Sequence, residues 1–229
     1  RRRLDLGNRA FADLFTNVAS GAGTERRVVP VDPRDLGLLP HGAASLRQRP
    51  FAAILGCADA RVPIELIFNE GPNDLFVVRV AGNTLGDDVR GSLNYAIEHL
   101  GASLKLIVVL GHANSAVMRM AVEAFLTGRR VADTTRCAHL APIVAEVQKS
   151  IDPHRVERWE SLPPPEQQAC LDDLYRAHVL RVIARILRET EKPVFYVINK
   201  VDGPRHENLA YEFHELGIDQ IYTISAQHG

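Results

Sequence analysis

Short apolar runs separated by stretches of helical periodicity organise this chain from residue 51 onward. Phe51–Leu55, Leu75–Val80 and Leu104–Leu110 are too short for buried helices and predict strands. Between them, Pro63–Phe68 reads as a short helix and Asp87–His99 as a longer one ended by Gly101; Ser115–Leu126 follows, ended by Gly128. Near-continuous apolar strands alternating with helices predict an α/β fold, a mainly parallel β-sheet flanked by helices. Upstream, Asp5–Ala19 sets Leu6, Ala10, Phe11, Leu14, Phe15 and Val18 at three- and four-residue intervals, which predicts an amphipathic helix broken by Gly21 and Gly23. Residues 24–50 have little periodicity and predict an irregular arm. Downstream, residues 129–192 read as interrupted helix, with Pro163, Pro164 and Pro165 marking a loop before a long apolar stripe over Leu171–Leu187. Val194–Ile198 and Ile221–Ile224 predict two more strands. The expected organisation is a helix and arm over 1–50, an α/β core over 51–192, and a strand-helix-strand segment over 193–229.

Composition narrows the function classes. The 229 residues are 46% hydrophobic and 24% charged, which suits a globular domain with a sizeable core. A formal net charge of −1 gives no bulk attraction for nucleic acid or an acidic membrane. No apolar run reaches the ~18 residues of a membrane span, and no signal-peptide core follows Arg1, Arg2 and Arg3. Cys57, Cys137 and Cys170 are odd in number and widely spaced, which argues against a disulfide framework and for a reducing cytoplasm.

The candidate chemistry gathers where strands end. Cys57, Asp59 and Arg61 follow the first run, and His112, Asn114 and Ser115 follow the third. A thiol, a carboxylate and an imidazole thus sit at C-terminal strand ends, where open α/β sheets place their sites. Each has a plainer reading. Cys57 can be a small buried hydrophobe, Asp59–Arg61 a structural ion pair, and Asn114 or Ser115 the cap of the helix that follows.

Taken together, Cys57-x-Asp59-x-Arg61, Arg79 with Gly82-Asn83, Ser92 with Tyr95, and Gly111-His112 resemble the β-class carbonic anhydrases, whose pattern continues Gly-His-x-x-Cys-Gly. The motifs match over roughly residues 50–128 and the resemblance extends over about 5–180, its N-terminal helix being similar to the family's dimer-clasping arm. The resemblance implies zinc held by Cys57 and His112, with Asp59–Arg61 as a catalytic gating dyad and Arg61, Arg79 and Asn83 near bound anions. It implies reversible hydration of CO2 to bicarbonate, and a homodimer or oligomer of dimers. Three positions depart from the pattern: Val80 stands for Asn, Ser115 for the remaining Cys ligand, and Ala116 for Gly. An alcohol is a poor substitute for a thiolate on zinc. Either zinc persists on Cys57, His112 and Asp59 with water, or Arg61 pairs with Asp59 and Cys57 is an ordinary thiol. The expectation is a degenerate site with weak or lost activity, the alternative a zinc-free module that binds bicarbonate or another small anion.

The last stretch, about 183–229, resembles the guanine-specificity region of a tandem-GTPase ribosome-assembly family. Asn199-Lys200-x-Asp202 follows one apolar strand and Ser225-Ala226 follows another. In that family such residues contact the guanine base. No Gly-x-x-x-x-Gly-Lys-Ser/Thr loop occurs to cradle phosphates, so a guanine-nucleotide module is the remote alternative and the motif is expected to be non-functional. Asp88-x-x-Gly91 shares letters with a GTPase switch motif but falls inside the Asp87–His99 helix.

Overall fold

The computed structural model describes residues 1–19, 31, 33–36, 47–128, 137–188, 196–199 and 221–224. The chain forms two compact units, residues 1–112 and 113–229.

The first unit is built on a three-stranded parallel sheet in the order β2-β1-β3, from β1 (Ala52–Cys57), β2 (Leu75–Val80) and β3 (Leu106–Leu110). β1 is central, and all six of its residues are buried, which explains why its sequence is apolar throughout rather than alternating. Its register runs Ala52↔Leu75 to Cys57↔Val80 against β2, and Ala52↔Leu106 to Gly56↔Leu110 against β3. Helices α2 (Ile64–Phe68) and α3 (Asp87–Leu100) supply the crossovers. Asp88 and Gly91 lie within α3, where the Ser92 hydroxyl donates to the Asp88 carbonyl at 2.8 Å.

Helix α1 (Arg2–Ala19) begins three residues earlier than its apolar stripe suggests. The inward face carries Leu4 and Gly7, whereas Leu6, expected on that face, is 56% exposed. Gly7 lies so close to α2 that a Cβ there would stand 1.6 Å from the Phe68 carbonyl oxygen. Asn8 Nδ2 donates to the Ile67 carbonyl at 3.4 Å. Arg3 pairs with buried Glu70 and with Asp74 at 2.8 Å, its guanidinium 4.6 Å from the Phe51 ring centroid. The polar start of the helix is therefore what anchors it. The stripe positions Leu14, Phe15 and Val18 have side chains outside those described.

The second unit packs α4 (Ala116–Thr127), α5 (Ala141–Gln148), α6 (Pro153–Val156) and the 25-residue α7 (Pro164–Arg188). Met118, Val122, Val144, Val147, Leu171 and Leu174 form its core. The prolines expected to mark a loop instead open a helix. Pro164 and Pro165 occupy its first turn, where a missing N–H breaks no helical bond, and the Pro163 carbonyl accepts from Glu166 and Gln167. Strands β4 (Tyr196–Asn199) and β5 (Ile221–Ile224) pair in parallel as a two-stranded sheet of their own.

Candidate metal centre

Cys57 ends β1, with 4% of its surface exposed. The chain leaving it is tied down by backbone and side-chain bonds. Ala58 N–H donates to the Val80 carbonyl at 3.2 Å, and Asp59 N–H to Cys57 Sγ at 3.4 Å. Arg79, on β2, donates from Nε to the Cys57 carbonyl at 3.0 Å and from Nη2 to the Asp59 carbonyl at 2.6 Å. Burial raises the Cys57 thiol pKa, but hydrogen bonding to the His112 side chain and to the Asp59 and Gly82 amides outweighs it and brings the thiol down to about 7. The structure thus brings Cys57 and His112 into hydrogen-bonding contact.

Asp59 faces Arg61 in a bidentate pair. Arg61 Nε donates to Oδ1 at 3.0 Å and Nη2 to Oδ2 at 2.6 Å, while Arg61 N–H also reaches Oδ1 at 2.9 Å. The Arg61 side chain and then its backbone amide hold this carboxyl well below the usual carboxylate range, so it stays ionised. The pair is partly solvated, with the Arg61 side chain 62% exposed and that of Asp59 20%.

Asn83 belongs to a 3-10 turn, Ala81–Asn83, and was expected near bound anions. It is fully buried at 0% exposure, and its amide nitrogen donates to the Leu55 and Leu110 carbonyls at 3.3 and 2.8 Å.

In the second unit, the loop before α4 is set by Asn114 in a left-handed conformation, φ 57°. Of the two candidate caps, Ser115 is the one used. Its Oγ accepts from Met118 N–H at 3.3 Å, and its surface is only 4% exposed. The Asn114 N–H donates to the Asp172 carboxylate on α7 at 2.9 Å. Gln168 Nε2 bonds the same oxygen at 2.9 Å, and Arg119 Nη2 donates to Gln168 Oε1 at 3.1 Å. No local pattern announces Asp172, which lies 58 residues from its partner.

The donors present do not fit a closed zinc centre. Two strong ligands, Cys57 and His112, are together. The carboxylate that could add a third is engaged by Arg61, and the hydroxyl at 115 is a neutral oxygen capping a helix. Among the described residues, no three His, Cys, Asp or Glu side chains are grouped to hold a metal. Val80 pairs with Cys57 across the sheet and Ala116 opens α4. At the other end of the chain, the register Asn199↔Ile224 puts Asn199 beside the residue preceding Ser225. Lys200, Asp202, Ser225 and Ala226 lie outside the described residues.

Comparison with known proteins fits this architecture. Carbonic anhydrase 2 of Mycobacterium tuberculosis is 46% identical over 81 residues, covering 35% of this chain and 38% of that protein, so the match spans about two fifths of its curated relative. A tetrameric β-carbonic anhydrase of Sordaria macrospora shares the fold with a TM-score of 0.50 at 16% identity, over 78% of this chain and 76% of that one. GTPase Der of Syntrophotalea carbinolica is 60% identical over 47 residues, 20% of this chain and 11% of that protein, in keeping with the C-terminal resemblance. The carbonic anhydrase family model matches residues 52–194, which include β1, β2, β3 and every strand-end residue of the candidate site; the chain belongs to the β-class carbonic anhydrase family.

Proposed function

We propose that this chain is a degenerate β-carbonic anhydrase, in which CO2 hydration is weak or lost because the metal site lacks one of its strong ligands. The observation that carries this reading is Ser115, whose buried hydroxyl accepts the Met118 amide at 3.3 Å as a helix cap. In the family, zinc supplies a bound water acidic enough to give hydroxide near neutral pH. Here Cys57 and His112 are the two residues suited to hold zinc, and Ser115 takes the place of a thiolate. Arg61 keeps Asp59 ionised and oriented, as a gating dyad requires. Arg79 fixes the loop between the thiol and the carboxylate. Losing one of three protein ligands costs several kcal/mol of metal binding, or ~100-fold or more in affinity. Chain purified without added zinc should therefore carry under about 0.1 zinc per protomer, with CO2 hydration near background in stopped flow. Stoichiometric zinc with fast turnover would overturn the reading.

The alternative is a zinc-free module that binds bicarbonate or another small anion, favoured by Arg61 and Arg79, two exposed arginines beside Asp59. Calorimetry with bicarbonate, sulfate and phosphate tests it, and no heat with any of them removes it. A guanine-binding role for the tail draws on the parallel pairing of β4 and β5, which sends both motif strands out of the same sheet edge. Fluorescent GDP that fails to bind at ~100 μM, a concentration generous for a specific site, disposes of that role. We place the protein as a homodimer or dimer of dimers in the cytoplasm, with an N-terminal arm over 1–50, a core over 51–192 and a tail over 193–229. Cys57, Cys137 and Cys170, present as thiols, suit a reducing compartment, and among the described residues no helix is long and apolar enough to cross a membrane.

A further inference from the structure

The hydrogen-bond ladder joining β1 to β3 stops at Gly56↔Leu110. Cys57 and His112 both lie beyond that last pair, and Cys57 is paired only on its other side, to Val80 of β2. Something other than the β1–β3 ladder must keep these strand ends from splaying.

Asn83 is placed to do it. It follows β2, and its amide nitrogen donates to the carbonyl of Leu55 at 3.3 Å and of Leu110 at 2.8 Å. Leu55 is two residues before Cys57, and Leu110 is two residues before His112. A primary amide has two N–H groups, one for each strand. The backbone that aims it is specific. Gly82 has φ 69° and Asn83 φ 55°, and asparagine is among the few side-chain-bearing residues that tolerate that region. At 0% exposure no water can stand in for the amide.

We propose that Asn83 is a positioning residue, whose side-chain amide clamps the C-terminal ends of β1 and β3 and thereby sets the contact between the Cys57 thiol and the His112 imidazole. The inference deepens the reading of the site given above, but its mechanical content concerns the Cys57–His112 pair alone. Arg79 acts on one strand end only, through the Cys57 and Asp59 carbonyls. Asn83 is the residue that couples the two.

The test compares Asn83→Gly with the parent chain. Glycine accepts the left-handed backbone and removes only the clamp. Long-range nitrogen–proton NMR of the His112 ring reads its hydrogen bond, assigned with His112→Gln and calibrated with Cys57→Ala, which abolishes the contact. In Asn83→Gly, the His112 ring nitrogen shifts should move to those of Cys57→Ala, while His178, buried in the other unit, keeps its own. Unchanged His112 shifts in a folded Asn83→Gly chain would overturn the proposal and leave Asn83 a purely structural residue. Should that variant not fold, the parent decides. The two Asn83 side-chain amide protons should be distinct and exchange at least ~10-fold more slowly than those of an exposed asparagine, as buried hydrogen-bonded groups do. Exchange at the exposed rate would equally overturn it. Zinc stoichiometry in Ser115→Cys tests the metal reading separately. If that variant takes up no zinc while the His112 shifts still respond to Asn83→Gly, the site reading fails and the clamp stands.

Discussion

After β1, the chain turns through bonds made by its own backbone and by Arg79, and these leave the Cys57 sulfur facing an imidazole. After β3, a loop of similar length is also held, by Asn114 in a left-handed turn and by the Asp172 carboxylate, but there the Ser115 side chain caps a helix. Both loops are ordered, and only the first presents a thiol. The difference teaches that two strand ends can be held equally firmly and still present different side-chain chemistry. The hydroxyl of Ser115 stabilises α4 by accepting the Met118 amide.

Restoring the missing sulfur should have the largest effect on this contrast. Ser115→Cys should raise zinc affinity ~100-fold or more, read as zinc per protomer, and CO2 hydration should rise with it. If neither changes, the two loops differ by more than one atom, and Val80 or Ala116 becomes the next suspect. The β1 side has a signature in pH. The folded thiol of Cys57, near 7, lies below the ordinary thiol value, so its contribution is present above the unfolded value of ~9 and lost as pH falls through about 7. Relative to Cys57→Ala, the parent should therefore gain about 2 kcal/mol of stability between pH 7 and 9, measured by denaturant melts. A flat difference would show that the imidazole contact does not favour the thiolate. On the β3 side, Asp172→Ala removes the acceptor shared by Asn114 and Gln168 and should cost about 1.5 kcal/mol, with hydrogen exchange at the Asn114 amide accelerated. Smallest of all, Ser115→Ala should cost about 1 kcal/mol, the value of one helix cap. A loss of that size together with unchanged zinc content would show that the serine serves the helix rather than a metal.

Much of the first unit is legible in the residues because its strands announce themselves by continuous apolar runs. β2 runs over Leu75–Val80 as the pattern predicts, and the pairing of Cys57 with His112 follows from two strand ends lying side by side in a parallel sheet. The docking of α1 was not legible. Periodicity favoured Leu6, whereas Leu4, a glycine and an ion pair to Glu70 fix the helix, and neither a close approach nor a buried salt bridge leaves an apolar repeat. Pro163 to Pro165 misled for a related reason: proline opposes a helix interior and suits its first turn, so the same residues mark a loop or a start. The role of Asn83 between two strand ends was not legible either, because a residue's type is visible in a sequence and its burial is not. Asp172 gave no sign at all, since a carboxylate reaching across 58 residues has no local signature.

The absent side chain at position 7 has a consequence for how freely this helix can drift in sequence. Where the N-terminal helix crosses Phe68, even one methyl would collide with a carbonyl, so the notch works as a steric password. A chain bearing alanine or anything larger there could not seat this helix on α2 unless the backbone beneath it moved.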